Sequence, residues 1–122
     1  MSPIRILGID PGSRVTGFGV IDSDGVRSTL VESGCIRLDD GDFATRLGRI
    51  FTGLRDVLDR LGPAEVAVEQ VFVAHNAQSA LKLGHARGAA ICAAVMAGLP
   101  VYEYTPREVK QAVVGTGGAD KT

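Results

Sequence analysis

Apolar positions gather in five short runs along the chain and recur at helical spacing in three longer ones. Residues 5–10, Arg-Ile-Leu-Gly-Ile-Asp, read as a buried strand that ends on a carboxylate. Pro11-Gly12-Ser13 is a turn, because proline fixes one φ angle and glycine supplies the next. Residues 15–21 form a second strand, with Thr16, Gly17 and Gly19 set among apolar neighbours. Asp22-Ser23-Asp24-Gly25 is a hairpin turn, and residues 30–38 are a third strand. The short turns make these three strands antiparallel.

Asp39-Asp40-Gly41-Asp42 breaks the pattern and can cap a helix. Phe43, Leu47, Ile50, Leu54, Leu58 and Leu61 then recur at helical spacing, with Arg46, Arg49, Arg55, Asp56 and Asp59 among them. Gly62-Pro63 ends that helix. Residues 64–69 are a short strand that again finishes on a carboxylate, Glu69. Residues 76–97 read as a long helix rich in Ala and Gly, and residues 99–104 as a fifth strand. Pro106 suits the first turn of a further helix running through Val113. Gly115-Thr116-Gly117-Gly118 is a loop. The order is β-β-β-α-β-α-β-α, an α/β domain over residues 1–122 without an internal repeat.

Composition narrows the class. The 122 residues are 45% hydrophobic and 22% charged, a balance that supports a real core and excludes collagen-like, disulfide-scaffold and disordered classes. The longest weakly polar stretch, Gly88 to Leu99, falls short of the roughly 18 residues a membrane span needs. Ser2-Pro3-Ile4-Arg5 runs straight into a strand rather than a leader, so a cytoplasmic location is expected. Cys35 and Cys92 each sit in an apolar segment, which predicts buried free thiols in a reducing compartment. The net charge of −1 hides an asymmetry: residues 1–69 are net −3 and residues 70–122 net +2. Early acids and late bases are compatible with a metal site beside a phosphate-binding surface.

Asp10 and Glu69 are the first candidates for chemistry. Each ends an apolar strand, and if those strands are neighbours the two acids converge at one end of the sheet, where open α/β sheets bind ligands. Paired carboxylates repel unless a cation neutralises them, and Mg²⁺ wants such oxygen ligands. Paired ions can clamp both oxygens of a phosphodiester displacement. The plainer alternative is two solvated edge acids. Phe72, in the loop after Glu69, reads from spacing as a core residue, with stacking on an unpaired base as the alternative. Gly84 and Gly88 cost stability in a helix and call for close approach of another helix, internal or from a second copy. Lys82, Arg87, Arg107, Lys110 and Lys121 are the late basic residues, able to neutralise phosphate or simply solvated. His75 and His85 lack partners at zinc spacing. Walker A, serine-elbow and GxGxxG sequences do not occur.

Leu7-Gly8-Ile9-Asp10-Pro11-Gly12-Ser13-Arg14-Val15-Thr16-Gly17 resembles the opening of the RuvC family of Holliday junction resolvases. Glu69-Gln70-Val71-Phe72, Asn76, Ser79-Ala80-Leu81-Lys82-Leu83-Gly84 and Ala86-Arg87-Gly88 are similar to the family as well. Val109-Lys110-Gln111 and the run from Gly115 to Lys121 extend the likeness over nearly the whole chain. The resemblance implies an RNase H-like fold: a mixed five-stranded sheet flanked by helices. It implies a homodimeric, Mg²⁺-dependent endonuclease, with Mn²⁺ as a substitute, that cuts opposed strands of a four-way DNA junction. Asp10 and Glu69 match two catalytic, metal-binding carboxylates. Phe72 matches an aromatic that stacks on junction bases, against the spacing-based reading. Lys110 and Lys121 match lysines near the scissile phosphate. Arg14, Asn76, Ser79 and Lys82 are further DNA-binding candidates within the matched motifs. The junction and the branch-migration proteins RuvA and RuvB are the implied partners.

Two other readings stand beside the nuclease. The family's remaining acids fall on a C-terminal helix beyond Thr122, so a junction-binding module that does not cut is one. The Gly-Ile-Asp-Pro-Gly-Ser start also resembles the first phosphate motif of actin-like ATPases, though 122 residues are too few for that two-domain fold.

Overall fold

The computed structural model describes residues 2–38, 41–70 and 76–104. Within them lie β1 (Ile4–Asp10), β2 (Val15–Ser23), β3 (Ser28–Arg37), α1 (Phe43–Leu61), β4 (Glu65–Glu69), α2 (Ala77–Met96) and β5 (Val101–Tyr104). The expected helix from Pro106 and the glycine loop lie outside the described residues. The strands form one sheet in the order β3-β2-β1-β4-β5. β1, β2 and β3 pair antiparallel, as the short turns require, whereas β1 with β4 and β4 with β5 are parallel across the helical crossovers.

One face of the sheet carries the core. Leu7 and Ile9 of β1, Val20 of β2, and Val66 and Val68 of β4 pack beneath both helices. α1 contributes Ile50, Leu54, Val57 and Leu58, the four positions its apolar stripe turns inward. Each fully buried aliphatic side chain is worth about 1.5–3 kcal/mol. α2 contributes Ala86, Ala90, Ala93 and Ala94 as its fully buried residues, with Ala89 and Ile91 partly buried beside them.

Local signals set the boundaries of α1. The Asp42 carboxylate accepts a hydrogen bond from the Thr45 amide at 2.8 Å, and Gly62 ends the helix at φ 57°, a left-handed cap that favours glycine. Arg5 holds one end of the layer together: it makes a two-pronged ion pair with Asp22 at 2.8 and 3.0 Å and donates to the Leu61 carbonyl at 2.9 Å. Arg60 bridges α1 to β3 through Glu32, again with two hydrogen bonds.

The cysteines depart from expectation. Cys35 and Cys92 are free, as expected, but both are exposed. Cys35 pairs with Gly17 in a row on the sheet face away from the helices, and Cys92 lies on the side of α2 turned from the core. An apolar segment has two faces, and each thiol is on the one the core does not use.

Candidate active site

Asp10 is the last residue of β1 and Glu69 the last of β4. These strands are adjacent and parallel, in register at Leu7↔Val66 and Ile9↔Val68. One residue further along the ladder, Asp10 and Glu69 stand level. Side chains alternate along a strand. With Ile9 and Val68 in the core, both carboxylates therefore lie on the opposite face, at the carboxyl end of the sheet. Across the same row, Asp10 pairs with Gly17 and Glu69 with Tyr104. Gly17 leaves the flank of Asp10 open: a Cβ there would stand 3.8 Å from that of Asp10.

The backbone on both sides of these acids is tied down. After Glu69, the Gln70 amide donates to the Tyr104 carbonyl at 2.7 Å. Arg87 donates to the Glu69 carbonyl at 3.4 Å and forms an ion pair with Glu103 of β5, which joins α2 to the ends of β4 and β5. After Asp10 comes buried Pro11, then Gly12, where a Cβ would lie 2.2 Å from the Val15 carbonyl oxygen. No other residue fits there without moving the turn. The Ser13 carbonyl accepts from Arg46 of α1 at 3.1 Å, and the Arg14 carbonyl from the Leu38 amide at 2.9 Å.

The donor set suits a hard divalent cation. Asp10 is exposed, and among the described residues no lysine, arginine or histidine pairs with it. Two level carboxylates offer oxygen ligands; Asp10 is exposed, whereas Glu69 is half-buried with its Oε1 out of solvent. Among the described residues no group of three or more His, Cys, Asp or Glu side chains comes together.

The other sequence candidates fall in three places. Lys82 lines a cleft of about 110 Å³ between the N-terminal halves of α1 and α2, together with Ser13, Phe43 and Arg46. Arg14 is exposed on the turn beyond Asp10. Asn76 is the N-cap of α2; its side-chain oxygen accepts from the Ser79 backbone amide at 2.8 Å, so Asn76 fixes the start of the helix that carries Lys82, and Ser79 lies half-buried in its first turn. Phe72, Lys110 and Lys121 lie outside the described residues, as does His75. Sequence reading missed Arg46 and Thr16. Arg46 is one of several basic residues on a polar helix face, and nothing local singles it out. Thr16 carried a usable signal: it shares the inward side of β2 with Phe18 and Val20, where a hydroxyl needs a partner.

The family model for crossover junction endodeoxyribonuclease RuvC matches residues 6–122. A crossover junction endodeoxyribonuclease RuvC of Methylococcus capsulatus is 60% identical over 117 residues, covering 96% of this chain and 70% of the relative. That of Geobacter metallireducens is 61% identical over 119 residues, covering 97% of this chain and 73% of the relative. Among solved structures, Thermus thermophilus RuvC in complex with a Holliday junction substrate aligns with TM-score 0.78 at 36% identity, over 88% of this chain and 68% of that one. The yeast mitochondrial Holliday junction resolvase Ydc2 shares the fold, with TM-score 0.64 at 12% identity, over 98% of this chain and 56% of that one. A sheet ending in two level carboxylates, matched from residue 6 to residue 122, places the chain in the RuvC family of crossover junction endodeoxyribonucleases.

Proposed function

We propose that the protein resolves four-way DNA junctions by metal-dependent phosphodiester hydrolysis, with Asp10 and Glu69 as its catalytic, metal-holding acids. The observation that carries this reading is the level placement of both carboxylates at the carboxyl ends of adjacent parallel strands. Mg²⁺ is the ion we infer, with Mn²⁺ able to replace it, because both are hard cations that take carboxylate oxygen. Bound there, such a cation supplies charge neutralisation at the phosphate and lowers the pKa of a water.

The chain's own residues do the rest. Asp10 and Glu69 repel each other and a DNA phosphate alike until a cation is held, which makes cutting conditional on metal. Arg14 and Lys82 stand near the turn that follows Asp10, where they fit the DNA backbone rather than base edges, and such contacts position without reading sequence. Asn76 fixes the start of α2 through its cap, and exposed Asn76 and half-buried Ser79 are DNA-binding candidates from the family likeness. From the family likeness, Lys110 and Lys121 serve the scissile phosphate and Phe72 stacks on a base at the junction centre.

A second copy completes the reaction. The outer side of α2 exposes Leu81 (61%), Val95 (57%) and Met96 (68%). Cβ atoms built at Gly84 and Gly88 meet nothing within 4 Å, so the close neighbour these glycines call for is not among the described residues. An isologous α2 contact would bury that stripe and set two sites in two-fold symmetry, the symmetry of two opposed strands in a junction. We place the protein in the cytoplasm with RuvA and RuvB as partners; among the described residues no helix is long and apolar enough to cross a membrane.

The test is a labelled four-way junction incubated with the protein and Mg²⁺, with EDTA and plain duplex alongside. Paired symmetric nicks in the junction, only with metal, are expected. Cutting that persists in EDTA, or that falls equally on duplex, contradicts the proposal.

A further inference from the structure

Thr16 is the single buried polar side chain among the described residues, with 0% exposure. Its hydroxyl donates to the Gly12 carbonyl at 3.0 Å and accepts from the Gly12 amide at 3.3 Å. Both polar groups of one residue are thus held by a single side chain. Among the described residues, no backbone–backbone hydrogen bond closes residues 11–14 upon themselves; the turn closes through Thr16. Thr16 also directly precedes Gly17, the ladder partner of Asp10. The loop from Asp10 to Gly17 is therefore shut twice, by the ladder at its base and by the hydroxyl inside it. Pro11 restricts φ just after Asp10, and Gly12 has no room for a Cβ.

We propose that Thr16 is a positioning residue for Asp10: its buried hydroxyl clamps Gly12 and so fixes the exit of β1 from which the Asp10 carboxylate is presented to a divalent cation. This rests on the reading of Asp10 as a metal-holding acid. Asp10 is an exposed side chain at a strand terminus, so its aim depends on the turn rather than on packing around it. A carboxylate displaced by a fraction of an ångström holds its ion and aligns the reacting oxygens less well, and a misplacement near 1 Å can cost about a hundredfold in rate.

Thr16→Val keeps the shape and removes the hydroxyl; Thr16→Ser keeps the hydroxyl and removes a methyl. In the full chain, four quantities are read for each: junction affinity without metal, single-turnover cutting at saturating junction, Mn²⁺ affinity of the DNA-free protein by calorimetry, and hydrogen exchange at the Gly12 amide. For Thr16→Val we expect junction affinity within about threefold of the parent, cutting down about tenfold or more, weaker Mn²⁺ binding and faster Gly12 exchange. Thr16→Ser is expected to match the parent within about threefold in all four. If Thr16→Val does not fold, Thr16→Cys takes its place against Ser, because a thiol is a weak donor of similar size. A hydroxyl-free variant that folds, cuts and binds Mn²⁺ like the parent overturns the proposal, as does a Ser variant with weakened Mn²⁺ binding. Asp10→Asn in the same series separates the two claims. If it abolishes cutting while Thr16→Val is normal, only the positioning role falls. If it cuts normally, the reading of Asp10 falls.

Discussion

Gly12 carries a constraint that sequence reading put down to turn conformation alone. The turn before Val15 closes so tightly that a methyl group would overlap the Val15 carbonyl oxygen, so the requirement is space. Gly12→Ala is expected to cost about 2–3 kcal/mol in urea unfolding. Gly48→Ala is the contrast: it lies inside α1 with nothing near its absent Cβ, and is expected to stabilise by about 0.5–1 kcal/mol. Equal effects from the two would contradict this account of Gly12. Asp10 and Glu69 were legible at this scale because each stands where an apolar run stops. Thr16 was passed over because it reads as one more small residue in β2. Its place on the inward side of β2 was readable from the alternation, but its bond to Gly12 depends on a turn that folds back four residues, which local pattern does not show.

At the scale of elements, α1 and α2 contrast. The stripe of α1 and its Asp42 and Gly62 caps are sharp, and the expected span of residues 43–61 is the observed one. In α2 the helix was legible but its inward face was not, because Ala and Gly lie all round and give no contrast between sides. The structure turns Ala86, Ala90, Ala93 and Ala94 inward and leaves Leu81, Val95 and Met96 outside. On the proposed α2 contact between two copies, Leu81→Glu with Val95→Glu is expected to leave the far-ultraviolet circular dichroism intact and to halve the mass seen by sedimentation. An unchanged mass would remove α2 as the contact between copies. Asn76→Ala should cost about 1 kcal/mol through loss of the cap. The actin-like alternative, drawn from the Gly-Ile-Asp-Pro-Gly-Ser motif alone, gives way to the family match over residues 6–122.

For the whole molecule, the element order from β1 through β5 could be read from the chain, but the adjacency of β1 and β4 entered as a condition. Parallel pairing across a crossover is decided by which buried faces meet, Leu7 and Ile9 with Val66 and Val68, and local pattern does not encode that meeting. Ion pairs and caps give the fold an acid limit. Hydrogen bonds from Arg5 hold Asp22, and those from Arg60 hold Glu32, below the usual carboxylate range; backbone amides do the same for Asp24, and the Thr45 amide for Asp42. Depressed carboxyl pKa values favour the folded state fully above the unfolded value, near pH 4, and that contribution is lost as pH falls through the folded values. Melting temperature should therefore be level from about pH 6 to 8 and decline below about pH 4. A decline that sets in near pH 6 would point to histidine instead. Whether Asp10 and Glu69 together hold the metal on which junction cutting depends is decided by single-turnover cleavage and metal-free junction binding of Asp10→Asn and Glu69→Gln. Each variant is expected to lose at least about a hundredfold in cutting, the equivalent of about 3 kcal/mol, while binding the junction as well as the parent. Parent-like cutting by either variant would contradict the account.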